Sequence, residues 1–159
     1  MSIWTHVNGS IRIDGLFLAN AVKEEQEINK IVGKIVTYDD LEKMPMNEEP
    51  KTDLPMGSEG SLHYKFVFYG QDSEDGTCHS VSRGSILIWG DLRDFDNSNE
   101  VVEWFKNLIS KISMTDSKNP FFVRDAILDV YTEGRNRFIC VQNQNNELKV
   151  IQVADKFEL

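Results

Sequence analysis

The stretch SILIWGDLRDFDNSNEVVEWFKNLISKI, Ser85 to Ile112, constrains this chain more than any other. Ser85 to Leu92 is dense in Ile, Leu and Trp, which fits a well-buried strand. Asn97 or Ser98 then offers a helix cap, with Glu100 three residues after Asn97 as in a capping box. Val101, Val102, Trp104, Phe105, Leu108, Ile109 and Ile112 recur at helical spacing, so one face of that helix must be covered. A strand feeding an amphipathic helix through a short polar loop is half of an α/β layer, and the rest of the chain has to supply the other half.

Upstream, Ile3, Thr5, Val7, Ile11 and Ile13 alternate with Trp4, His6, Asn8, Ser10 and Arg12, the pattern of a strand with one face on a core. Leu16 to Ile35 reads as a helix with Leu18, Ala21, Val22, Ile28, Ile31, Val32 and Ile35 as its apolar stripe. Leu62 to Tyr69 is aromatic-rich and alternating, and the polar turn GQDSEDGT leads it into the strand from about Cys78 to Leu92, with a break or bulge expected near Gly84. After the Trp104 helix, strands are expected at Val123 to Tyr131, Phe138 to Gln142 and Leu148 to Val153. The order is β-α-β-β-α-β plus a hairpin, and the expected fold class is α+β: a ferredoxin-like sandwich with an extra C-terminal β-hairpin. With 159 residues the chain fits a single domain. Its irregular part is an acidic loop from about 37 to 61, which holds three of the four prolines and keeps no period.

Net charge is -9, which argues against direct nucleic-acid binding, since that needs Lys and Arg at the phosphates. It suits a protein partner with a basic surface. No apolar run approaches the roughly 20 residues of a membrane span, and the start MSIWTHVNG lacks the pattern of a signal peptide, so a cytoplasmic protein without a membrane role is expected. Cys78 and Cys140 then read as reduced thiols.

Catalytic and metal patterns fail on spacing. His6, His63 and His79 form no HExxH motif, and neighbouring Cys78 and His79 would point to opposite faces of a strand. Asp94, Asp96 and Ser98 match the start of a calcium loop, but Asn99 takes the glycine position and Phe105 that of the bidentate Glu. Asp91, Asp94 and Asp96 read instead as carboxylates favoured by a helix N-terminus. The expectation is no enzyme, no cofactor and no metal; a hydrolase using Asp91, Asp94 or His79 trails behind. Two binding sites remain open. One is the acidic loop, through Asp39, Asp40, Glu42, Glu48, Glu49, Asp53 and Glu59, presented to a basic partner. The other is a nucleotide site, with Arg135 and Arg137 in the turn EGRNR and Gly57 and Gly60 in MGSEGS as phosphate contacts.

The segments MSIWTHVNGSIRID, GSEGSLHYKF and IWGDLRDF resemble those of small accessory proteins encoded by phages of Gram-positive bacteria. That resemblance implies a protein that binds and blocks a host defence factor, such as a nuclease, in the manner of anti-CRISPR and other anti-defence proteins.

Overall fold

A computed structural model describes residues 2–16, 21–33, 53–71, 81–113, 121–145 and 147–157. The elements are β1 (Trp4–Leu16), α1 (Ala21–Val32), β2 (His63–Gln71), β3 (Val81–Arg93), α2 (Ser98–Ser113), β4 (Phe121–Thr132), β5 (Arg135–Gln144) and β6 (Glu147–Phe157). The six strands form one sheet in the order β2-β3-β1-β4-β5-β6, and every neighbouring pair is antiparallel.

The expected ferredoxin-like sandwich with an appended hairpin is corrected by this sheet. Asp125–Thr132 of β4 is in register with Arg135–Gln142 of β5, and β5 pairs along its length with β6. The last two strands are therefore full members of one broad, strand-dominated sheet. A helix is about 10–12 Å across and strands lie about 4.8 Å apart, so one helix covers about two strands. The two helices among the described residues cannot cover six.

Burial follows the alternation. Val7, Ile11 and Ile13 of β1, Ile86, Ile88 and Leu92 of β3, Ala126, Leu128 and Val130 of β4, and Ile139 and Val141 of β5 form the covered face. The stripe Val101, Val102, Phe105, Leu108, Ile109 and Ile112 of α2 closes over it. α2 packs over β4, while α1, through Ile28 and Val32, lies toward β2. Trp104, expected to bury against the sheet, is only half-buried; Phe105 is the fully buried ring. Trp104 points sideways, into a groove between the helices.

Local chemistry fixes the ends. The α2 backbone begins with the Glu100 amide donating to the Asn97 carbonyl at 3.0 Å. α1 stops at Gly33, whose φ of 99° is a left-handed cap and whose amide donates to the Asn29 carbonyl. Glu133 and Gly134, both at positive φ, make the tight turn between β4 and β5. Buried Thr5 satisfies its hydroxyl by donating to the Phe95 carbonyl at 2.5 Å, and it also lies 2.7 Å from the Thr132 hydroxyl.

Candidate functional site

The side of the sheet away from the helices is open. Its side chains fall in rows set by the strand register. One row runs His63, Trp89, Asn8, Asp129, Phe138 across β2, β3, β1, β4 and β5. The next runs Lys65, Leu87, Ser10, Ile127, Cys140, and on the other side lie Asp91, His6, Tyr131 and Asn136. Asn8 and Ser10 are short, so β1 lies low between Leu87 and Trp89 on one flank and Ile127 and Phe138 on the other.

This face is unusually apolar for one bathed in water. Trp89 is 42% exposed, Leu87 40%, Ile127 43% and Trp4 38%. The aromatic groups are held rather than loose. The Trp89 ring stacks with His63, and His6 stacks with Tyr131, each at 6.1 Å between centroids. His6 Nδ1 is also 2.5 Å from Asp91 Oδ1.

Asp129 stands out in the middle. Its Oδ1 is buried, and no group among the described residues donates to it. Asn136 Oδ1, on the same face two positions along β5 from Phe138, is in the same condition. A buried acceptor without a donor costs about 1–3 kcal/mol, more for a charged group. Two such acceptors on one open face, beside aromatic rings, match a partner that brings hydrogen-bond donors and positive charge.

The sequence-derived candidates fall elsewhere. Asp39, Asp40, Glu42, Glu48 and Glu49 lie outside the described residues. Asp53 lines the inter-helix groove of about 810 Å³ with Lys30, Gly33, Glu100, Trp104 and Lys111. Glu59 pairs with Arg93. Gly57 and Gly60 belong to a tight turn strapped to the end of β3: the Gly57 amide donates to the Gly60 carbonyl, and the Ser58 amide to the Arg93 carbonyl. These amides are spent on carbonyls rather than aimed at an anion. Arg137 donates to the Asn99 side chain at the start of α2, and Arg135 is exposed beyond it. Arg135 sits three strands from the turn at β3, about 14 Å by strand spacing, so the structure does not bring the arginines and the glycines together.

Cys78 and His79 lie outside the described residues, and Cys140 is a half-buried free thiol. Among the described residues no group of three or more His, Cys, Asp or Glu side chains could hold a metal ion, and no helix is long and apolar enough to cross a membrane. Comparison of the chain with protein-family models, curated proteins and solved structures finds no match.

The open face was only partly legible beforehand. Alternation in β1 places Trp4, His6, Asn8, Ser10 and Arg12 together, but which face of the sheet stays bare depends on where the helices land. The setting of Asp129 is a product of three strands meeting, and no local pattern announces it.

Proposed function

We propose that the chain is a non-enzymatic binding protein that covers a basic surface of a partner protein with its open sheet face. The observation that carries this is Asp129. A carboxylate with a covered, unpaired oxygen lies at the centre of an exposed aromatic and aliphatic surface. A partner Lys or Arg, donor-only and positively charged, complements it, with a rotation of the Asp129 side chain on docking bringing the covered oxygen to the donor. Trp89, Tyr131 and Phe138 supply the kind of rigid aromatic contacts that dominate protein interfaces, and they are suited to hold a cation over a ring.

The chain's net charge of -9 acts at longer range and steers a basic partner toward it. The resemblance to phage accessory proteins supports a host defence protein, such as a nuclease, as the kind of target. Blocking requires only that the covered surface be one the target needs.

The test compares three forms of the full chain as immobilised baits in host lysate, each checked for folding by circular dichroism. They are the wild type, the double substitution Trp89→Ala with Asp129→Val, and the loop triple Glu48→Ser, Glu49→Ser, Asp53→Ser. Expected is a basic protein retained stoichiometrically by the wild type, lost from the sheet variant and kept by the loop variant with a slower on-rate at low salt. Retention by the sheet variant together with loss from the loop variant would move the contact to the acidic loop and overturn the proposal.

A further inference from the structure

The two helices among the described residues lie on one face of the sheet, and the shape of the other face narrows what can cover it. Its centre is a trough along β1. Asn8 and Ser10 form the floor, Leu87 and Trp89 on β3 one wall, and Ile127 and Asp129 on β4 the other, all in strand register. Leu87, Trp89 and Ile127 are exposed. The walls stand two strand spacings apart, about 10 Å, and a helix with its side chains is about 10–12 Å across. A helix resting on both walls therefore reaches the floor with one stripe of side chains.

Backbone hydrogen bonding separates a helix from an extended segment here. β3, β1 and β4 each pair on both sides, so their amides and carbonyls beneath the trough are engaged in the ladders. An extended segment laid on this face would bury its own N–H and C=O groups with no backbone partner below. A helix satisfies those groups internally. The spacing along the trough agrees. Ile127, Asp129 and Tyr131 follow at two-residue steps of about 6.7 Å along β4, and helix positions four apart rise by about 6.0 Å. β4 already accepts a helix on its other side, where α2 packs on it and Ala126, Leu128 and Val130 are buried.

We propose that the element received by this face is an α-helix of the partner protein, seated along β1. Its buried stripe carries a Lys or Arg, with apolar residues four positions before and after. This rests on the docking role of the face and adds the form of the partner's contact. The cation meets Asp129 once that side chain rotates, and the net charge of -9 favours a basic helix over an acidic one. The apolar positions fall over Tyr131 and Ile127, while Leu87 and Trp89 close the opposite side. Trp89 is stacked on His63 and Tyr131 on His6, so the rings are set before the partner arrives.

The test follows backbone amide shifts of the full chain by NMR during titration with designed peptides. The first probe is an Ala-rich peptide of about 18 residues, fixed as a helix by a side-chain lactam on its far face. It carries Leu, Arg and Leu at successive four-residue steps. A second probe has proline in place of two alanines, which breaks the helix, and a third has Glu in place of Arg. Expected are saturable shifts centred on Asn8, Ser10, Leu87 and Ile127, with the helical Arg probe binding about tenfold or more tighter than either control. Asn8→Phe, which fills the floor, should abolish that preference; Ser10→Leu makes the same measurement if circular dichroism shows Asn8→Phe unfolded. Val150→Thr, on the opposite side of the sheet, should leave the affinity unchanged. Equal affinity for the helical and proline probes, shifts outside the trough, or no saturable binding would each overturn the helix. The two readings fail separately. Retention of the lysate protein by the sheet variant with its loss from the loop variant refutes the docking role. Loss from the sheet variant with probes that do not discriminate keeps the docking role and rejects the helix.

Discussion

Asp129→Val should make the free protein more stable while removing its capacity to bind. The stabilisation comes from two sources. The buried, unpaired Oδ1 is removed, which returns about 1–3 kcal/mol. Val also suits a pleated, half-covered strand position better than Asp, on a scale that spans about 1 kcal/mol. A net gain of about 1–4 kcal/mol is expected, and for a chain of this size each kcal/mol raises Tm by about 2–4 °C. Urea denaturation followed by tryptophan fluorescence should show a higher midpoint at unchanged slope. The control is Asp125→Val, four residues earlier on β4. Asp125 is paired with half-exposed Arg12, so its loss should cost about 0–1 kcal/mol rather than add stability. Opposite signs for two aspartates of one strand is a demanding outcome. If Asp129→Val destabilises by 1 kcal/mol or more, the carboxylate is structurally satisfied and the argument for a cationic partner at that position fails.

Phe105→Ala should cost about 3–5 kcal/mol in chemical denaturation, because the ring is fully buried beneath α2. Trp104→Ala, which trims a half-buried ring in the inter-helix groove, should cost about 1–2 kcal/mol, well below the Phe105 value. Gly60→Ala should lower stability by about 1–3 kcal/mol in the same assay: φ is 82° and an added Cβ would strike the Asp91 carbonyl oxygen. A chelator should leave the melting temperature unchanged, whereas a metal-dependent rise would reveal a native-state site, since ligands of the folded form raise stability.

How much of this fold the chain announces depends on the range over which each feature is decided. The apolar stripe of α2 and the alternation of β1 and β4 are local periods, and the elements appear where those periods lie. Boundaries are less legible because pairing extends strands past their apolar residues. Arg135, Asn136, Asn143 and Gln144 belong to β5 through ladders with β4 or β6, not through their own propensity. The breadth of the sheet escaped for the same reason: EGRNR is readable as a turn, but not whether the strands after it remain in the sheet or fold away. The MGSEGS segment shows glycines that permit either an anion cradle or a tight turn. Only contact with Arg93 decides between them, and Arg93 lies more than thirty residues on.

The proposed site lies where the sequence points least, because it too is decided by contacts between distant residues. Net charge directs attention to the acidic loop, yet charge in solvated loops is inexpensive and easily screened. Asp129 is one carboxylate among many in sequence. It becomes distinctive when β1 and β5 flank it and Trp89 and Phe138 take the places along its row. A free protein selected for stability alone would replace it, because a hydrophobic residue there removes an unpaired buried acceptor. Its presence is a local rule broken against the interest of the isolated fold. Such breaks are expected where a surface is shaped for something outside the chain. A donor arriving from a partner turns the penalty carried by the free form into a gain of the complex, and that difference is the part of the binding energy Asp129 contributes.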